Sequence, residues 1–226
     1  MAQGTGGGGR GYHHGDLRAS LISEALALAR ATPADAAGPD AAISLREVTR
    51  RAGVSPTAAY RHFRDRRALL VAVAEEIQLR MVERMRAHGS GAEGVQSALD
   101  RLRGVGLGYV DFAIAEPGWF TLAFFPREEA QAEHGAVPPP LAELLAALDD
   151  CVDAGVLTPA ARAGAEYTCW SAVHGCALLM VRGPLRNAPR DAQEAVTRRV
   201  VDDAIRGVRG GERLSSPAAP SPRSRG

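Results

Sequence analysis

Apolar residues recur along most of this chain with helical spacing. The first stripe, Leu17, Leu21, Ala25 and Leu28, follows Asp16, whose side chain can cap a helix. No stretch alternates apolar and polar residues for long enough to predict a strand. The pattern therefore predicts an all-α fold.

Capping and helix-breaking residues divide this pattern into elements. Ser44 and Glu47 have the spacing of a capping box that opens a helix, and Gly53 is suited to end that helix. Ser55 followed by Pro56 indicates a second helix start. The further predicted elements are a long helix from residue 65 to about 88, a helix from about 92 to 116, a short aromatic segment over 119–125, and helices over 141–154, 158–181 and 191–208.

The elements group into two domains between unstructured ends. We expect a flexible Gly-rich arm over residues 1–15, a three-helix domain over 16–64, and a larger helical domain over 65–209. Residues 210–226 are rich in Gly, Ser, Pro and Arg and cannot bury enough apolar surface to become ordered. Residues 32–42 read as a loop because Pro and Gly interrupt the helical pattern there.

The charge of the chain becomes informative once it is localised. The whole sequence carries 27 basic and 26 acidic residues, for a net charge of +1. Residues 44–67 alone carry 7 Arg against 2 acidic residues. A basic segment in a near-neutral chain is typical of contact with phosphates, although a solvated charged face would have the same composition.

Residues 44–63, SLREVTRRAGVSPTAAYRHF, predict two short helices joined by a tight corner. The first helix can bury Leu45, Val48 and Ala52. Gly53 supplies the backbone freedom that the corner requires. The second helix can bury Ala59 and Phe63 while four side chains face outward: Thr57, Ala58, Arg61 and His62.

The order of residues in this corner resembles the helix-turn-helix of the TetR family. Members typically show a close relative of A-G-V-S-x-x-x-x-Y-x-H-F, then a basic residue and A-L-L. The matching residues here are Ala52, Gly53, Val54, Ser55, Tyr60, His62, Phe63, Arg66, Ala68, Leu69 and Leu70. Residues 12–18, YHHGDLR, together with Trp170, His174 and Gly175, resemble a subgroup that has a WHG-type C-terminal domain.

The resemblance implies a homodimeric, sequence-specific transcriptional regulator of double-stranded DNA, by family default a repressor that a small-molecule effector releases from a palindromic operator. Arg46 would reach a base edge or a phosphate, and Thr57 and Ala58 would face bases. The other implied contacts are to phosphates, from Ser44, Tyr60, His62 and Arg66. For Ser44, capping of its own helix is an equally good explanation, and the two roles are compatible.

The larger domain holds most of the aromatic residues. Core packing explains each of them by default, but the resemblance also implies a ligand cavity, which we expect to be edged by Phe112, Trp119, Phe124 and Trp170. His174 would be one of its few orienting polar groups, and the ligand would be flat or apolar. In the family the last two helices form the dimer interface, and small residues there permit close packing: Ala165, Ser171, Ala172, Gly175, Ala177 and Ala195.

Two other classes of protein are less consistent with the sequence. A helical-bundle enzyme could use the aromatic pocket and His174, but no catalytic constellation or cofactor motif accompanies that histidine. A sequence-tolerant nucleic-acid-binding protein would be basic throughout, whereas residues 89–226 carry 14 Arg against 17 acidic residues. The three cysteines lack CxxC spacing, so we expect no metal site.

The sequence also bears on location. No apolar run approaches the roughly 20 residues needed to span a bilayer. The Gly-rich start lacks the apolar core of a secretory signal. We therefore expect a cytoplasmic protein.

Overall fold

A computed structural model of the chain describes residues 17–31, 39–89, 95–124 and 137–210, and all regular structure in these ranges is helical. The all-α prediction is confirmed. The helices are α1 (Leu17–Ala31), α2 (Leu45–Ala52), α3 (Pro56–Tyr60), α4 (Arg66–His88), α5 (Val95–Ala115), α6 (Pro117–Phe124), α7 (Pro139–Asp153), α8 (Pro159–Arg162), α9 (Ala165–Val181) and α10 (Arg190–Arg209), with a short 3₁₀ turn at Pro39–Ala42 before α2.

Several predictions fall on other parts of the chain. The arm over residues 1–15, the cap at Asp16, most of the loop over 32–42, the helix start near residue 92, Phe125 and the tail beyond 210 lie outside the described residues. Within the described ranges, no helix is both long enough and apolar enough to cross a membrane.

The predicted helix boundaries of the corner are confirmed by its hydrogen bonds. The Ser44 hydroxyl accepts a hydrogen bond from the Glu47 amide at 3.1 Å, and the Ser55 hydroxyl accepts one from the Ala58 amide at 3.3 Å. Gly53 ends α2 in the left-handed region, at φ 68°. The Glu47 carboxylate accepts from the Arg50 guanidinium, so of the predicted capping box the Ser44 half is present.

The predicted single helix over residues 158–181 is wrong. Thr158 caps only the one turn of α8, because Gly164 then adopts a positive φ of 79° and redirects the chain before α9 begins. By contrast, the short aromatic segment after α5 is a full helix, α6, which starts at Pro117 directly after Glu116.

Helix α4 connects a small N-terminal core to the larger helical domain. Side chains of α1, α2 and α3, among them Leu21, Val48 and Ala59, form the small core, and Leu69 and Leu70 of α4 are buried with them in one continuous cluster. The other end of α4 packs along α5, which also contacts α6, α7, α9 and α10. α5 is therefore the central helix of the larger domain.

The C-terminal half of α4 touches α5 backbone to backbone. A Cβ atom placed on Gly108 would lie 2.5 Å from the Met85 Cα, and one placed on Gly104 would lie 2.5 Å from the Gly89 nitrogen. Any side chain at these two α5 positions would force the helices apart. The end of α4 is thus fixed against α5 by steric fit.

Candidate functional site

The corner of α2 and α3 presents its polar side chains to solvent above a closed core. Ala59 and Phe63 are buried beneath it, as predicted. Arg46, Thr57, His62 and Tyr60 are exposed, whereas Ser44 and Ala58 are partly buried. Tyr60 is 58% exposed. The exposure of these residues is compatible with contacts to another macromolecule.

The arginines of this basic segment fall into two kinds. Two of them form ion pairs with residues of the same chain: Arg50 with Glu47, and Arg51 with Glu24 at 2.9 Å. The Arg46 guanidinium, in contrast, makes no hydrogen bond or ion pair with another described residue. It is therefore available for an external ligand.

Arg66 has a structural role that the sequence did not indicate. Its side chain is only 31% exposed, and its Nε donates to the Ile43 carbonyl oxygen at 2.7 Å. A second donor of the guanidinium reaches the Asp40 carbonyl oxygen. Arg66 thereby ties the first turn of α4 to the segment that precedes α2. Contact of Arg66 with a phosphate remains a prediction. Its guanidinium would have to bind the phosphate while it keeps its hydrogen bonds to the segment before α2.

Three of the five predicted sensor residues meet in an aromatic group around Tyr109. The Tyr109 ring centroid lies 5.2 Å from that of Trp170 and 5.7 Å from that of Phe124. Trp170 and His174 stack one helical turn apart, with an interplanar angle of 12°. The Tyr109 hydroxyl lies 2.8 Å from His174 Nδ1, and Phe120 closes the group. Tyr109 and Phe120 were not among the residues that the sequence pattern indicated for a ligand site.

The pKa values of Tyr109 and His174 show that this group is neutral. Burial raises the pKa of the Tyr109 hydroxyl well above its ordinary value. Burial lowers the pKa of His174. Both side chains are therefore uncharged near pH 7, and the hydrogen bond between them joins two neutral groups.

Phe112 and Trp119 lie apart from this group, so the structure does not bring the four selected aromatic residues together in one place. Trp119 packs against the N-terminal domain, where its Nε1 donates to the Leu26 carbonyl oxygen of α1 at 2.9 Å. The guanidinium carbons of Arg30 and Arg80 lie 4.7 and 5.2 Å from the Trp119 ring centroid. Trp119 therefore joins α1 to α6 and α4. Phe112 is its neighbour, at 6.3 Å between ring centroids.

A narrow apolar slot runs through the larger domain beside the Tyr109 group. Residues of α4, α5, α7, α9 and α10 line it, and Trp170 is the predicted sensor residue among them. The space that the centre of a water molecule can reach is about 20 Å³. That is enough for roughly one water molecule.

Two carboxylates hold the C-terminal turns of α4. Asp111 accepts hydrogen bonds from Arg84 at 2.7 Å, from Arg190 at 2.6 Å and from His88 at 3.3 Å. Burial opposes the charge of Asp111, but these donors outweigh burial and lower its pKa. The end of α4 is thus linked through α5 to the first residue of α10.

Glu143 of α7 is the second of these carboxylates. It is 5% exposed and accepts from Arg86 of α4 at 2.7 Å and from Arg101 of α5 at 3.0 Å. Burial opposes its charge, and the two guanidinium groups again lower its pKa. A buried carboxylate of this kind depends on both cations, so losing one leaves an uncompensated charge.

The outer face of α9 carries small residues between the exposed side chains of Tyr167 and Leu179. Ser171 is exposed, and a Cβ atom on Gly175 would meet no atom within 4 Å. Leu179, one turn further, is 45% exposed. The predicted small residues Ala165 and Ala177 are buried in the core of the chain itself and cannot belong to this face.

The described residues show no group of three or more His, Cys, Asp and Glu that could hold a metal ion. The three cysteines are buried free thiols.

Comparisons with known proteins agree with this architecture. A family model described as bacterial regulatory proteins, tetR family, matches residues 36–73, and a tetracyclin repressor-like C-terminal domain model matches residues 102–204. The second match contains the Trp170, His174 and Gly175 signature. No curated protein sequence matches the chain.

Solved structures are similar over most of the chain. A protein of unknown function from Rhodococcus sp. RHA1 is 28% identical, covers 88% of this chain and 98% of its own, and has a TM-score of 0.68. A bacterial regulatory protein in the tetR family from Rhodococcus RHA1 is 20% identical over 84% of this chain and 96% of its own, with a TM-score of 0.58. A single-residue variant of TetR from Acinetobacter baumannii AYE, solved in complex with minocycline, is 19% identical over 84% of this chain and 94% of its own, with a TM-score of 0.57. At these identities the last two show a shared fold.

Proposed function

Since this chain belongs to the TetR family of DNA-binding transcriptional regulators, we propose that it is a repressor that leaves a palindromic operator when a small molecule binds its larger domain. The observation that carries the proposal is the exposed polar surface of the α2–α3 corner. Arg46, Thr57, Tyr60 and His62 point to solvent there above their own small core.

On DNA, we expect α3 to enter the major groove. Thr57 and Ala58 near its N-terminus are small enough to let the backbone approach base edges. Arg46 would bind a guanine edge or a phosphate, while Ser44, Tyr60 and His62 would fix the register through phosphates. Arg66 would add a phosphate contact beside its bonds to the turn 39–42.

We expect two copies to associate through the outer faces of α9 and α10. The uncovered stripe that contains Ser171, Gly175 and Leu179 allows two helices to approach closely. A two-fold dimer would place two α3 helices about one turn of DNA apart, roughly 34–36 Å, and so match a palindrome. The partners of the protein are accordingly a second copy, double-stranded DNA and an effector.

Release from DNA would follow a population shift. Helix α4 carries the corner at one end and is held by Asp111 and Glu143 at the other. A ligand that favours a different packing of the larger domain would therefore move the corner through α4. The two recognition helices would then no longer fit successive grooves.

We infer no catalytic role. His174, the residue on which an enzyme mechanism would depend, is neutral and bonded to Tyr109.

The test is selection of duplexes from genomic fragments by the full chain, followed by gel shifts and a reporter gene behind the selected site. We expect a palindrome, repression of the reporter, and affinity that falls steeply with salt, because each neutralised phosphate contributes about −0.9 to the slope of log affinity against log salt. Equal affinity for random duplex would favour a sequence-tolerant binder and overturn the proposal.

A further inference from the structure

The turn 39–42 gives the chain a fixed position directly ahead of α2. It contacts both α1 and α6, so it lies where the DNA-reading domain meets the larger one. Asp40 in the turn is 6% exposed, and the side chain of Ile43, which follows the turn, is fully buried. The Ile43 amide donates to the Asp40 carbonyl oxygen at 3.1 Å and closes the turn. Residues 40–43 are therefore an anchored segment.

Arg66 joins this anchored segment to the first turn of α4. Its Nε donates to the Ile43 carbonyl oxygen at 2.7 Å, and a second nitrogen of the guanidinium donates to the Asp40 carbonyl oxygen. The Asp40 carboxylate lies 4.0 Å from the same guanidinium and supplies a counter-charge. The donors of a guanidinium point in fixed directions within one plane. Two such bonds therefore define where the backbone of residues 40–43 lies relative to α4.

The chain between this segment and the predicted DNA contacts is short. Only Ser44 and Leu45 separate Ile43 from Arg46. The Ser44 hydroxyl caps α2 by accepting from the Glu47 amide, and Leu45 is buried. A shift of the Ile43 backbone would therefore displace the first turn of α2 and, with it, Arg46.

We propose that Arg66 is a positioning residue for operator recognition. It holds the backbone of residues 40–43 against α4 and thereby sets the place from which Ser44 and Arg46 reach DNA. The inference rests on the proposed function and is independent of any phosphate contact that Arg66 makes itself. A phosphate contact needs only the positive charge, which lysine would also supply. Positioning needs the directed donors of arginine, because lysine has a methylene carbon where arginine has Nε.

The first experiment measures hydrogen exchange of the full chain without DNA, for the wild type and for Arg66→Lys. Losing one hydrogen bond to a charged group shifts local opening by about tenfold. We expect the amides of residues 43–48 to exchange at least about threefold faster in Arg66→Lys, while those of α5 stay unchanged. Arg64→Lys is the matched control, since its side chain is 76% exposed and pairs only with Asp65 among the printed ion pairs of the described residues. Equal exchange in Arg66→Lys and the wild type would overturn the proposal.

The second experiment asks whether Arg66 acts through Arg46. Operator affinity is measured by gel shifts for Arg66→Lys, for Arg46→Ala and for the double variant. Independent sites add to within about twofold. We expect Arg66→Lys to bind at least about threefold more weakly, and the loss caused by Arg46→Ala to shrink by a similar factor in the double variant. A purely structural role or a phosphate contact gives additive losses, which would overturn the proposal.

Two provisions keep the test decisive. If Arg66→Lys does not fold, Asp40→Asn takes its place, because it removes the counter-charge of the guanidinium at nearly constant size. It should change both measurements in the same direction, and a folded Asp40→Asn that changes neither would overturn the proposal. If no specific operator is found, the proposed function fails, whereas the exchange measurement still decides whether Arg66 holds residues 40–43.

Discussion

Replacing Trp119 by phenylalanine should weaken the connection between the DNA-reading domain and the larger domain. The indole nitrogen of Trp119 donates to the Leu26 carbonyl oxygen of α1, and phenylalanine cannot make this bond. Arg30 and Arg80 pack over the indole ring, which attracts cations more strongly than a phenyl ring does. The substitution therefore changes the contact from α6 to both α1 and α4.

The size of the effect can be worked out from these contacts. A hydrogen bond of this kind contributes about 0.5–1.5 kcal/mol to stability. Each cation–π contact contributes about 0.5–1 kcal/mol at an exposed site, and the phenyl ring retains part of it. We expect the free energy of unfolding to fall by about 1–2 kcal/mol. The core of the corner, with Val48 and Ala59, is not touched, so operator affinity should change little.

The assay is chemical denaturation, followed by gel shifts on the selected operator with and without the effector. Trp170→Phe is the matched control for the stability measurement, because it makes the same ring exchange in the Tyr109 group, away from α1. The wild type is the reference for the ligand response, because Trp170 is itself a predicted ligand contact. We expect Trp119→Phe to lose more stability than the control and to reduce the effect of ligand on operator affinity. A variant that unfolds like the wild type and responds fully to ligand would refute the coupling role of Trp119.

Arg46→Ala should cost about 1–3 kcal/mol of operator binding and relax preference at one base position, as measured by gel shifts on operator variants. Gly175→Arg should leave a folded monomer, measured by sedimentation, because an arginine there has room within one copy but would be buried in a dimer seam. Trp170→Ala should lose ligand response and keep operator binding, because the corner has its own core. Thermal denaturation at decreasing pH should show that Asp111 and Glu143 stabilise the fold above their ordinary pKa values of 3.8 and 4.5, and that this stability is lost as the pH falls through their lowered folded-state pKa values.

Each of these predictions has an outcome that contradicts it. If Arg46→Ala weakens binding equally for every DNA sequence, Arg46 contacts a phosphate and not a base. If Gly175→Arg remains a tight dimer, the interface lies elsewhere. Ala142→Arg, at an exposed position of α7, is the control and should remain a dimer. A normal ligand response of Trp170→Ala would remove it from the site. If Asp111→Asn unfolds at the same acid pH as the wild type, Asp111 does not contribute to the acid transition.

The sequence determined the elements whose signals are local. Ser44, Ser55 and Gly53 act on backbone groups within four residues of themselves, so their spacing was sufficient to predict the caps and the corner. The buried positions of the corner, such as Ala59 and Phe63, followed from the same short-range periodicity. The helix break at Gly164 is local as well, but Gly inside an apolar helical pattern does not by itself indicate a positive φ.

Tertiary structure decided the contacts between residues that are distant along the chain. Trp119 bonds to Leu26, 93 residues earlier, and so belongs to the domain junction instead of the aromatic group. Tyr109 and His174, 65 residues apart, meet because α5 packs on α9, and periodicity cannot specify that pairing. Arg66 turns inward because the carbonyl oxygens of the turn 39–42 and of Ile43 lie within its reach. The sequence shows the chemical type of an aromatic or basic residue. Its partner depends on which helices pack together, and that packing is established only when the whole core forms.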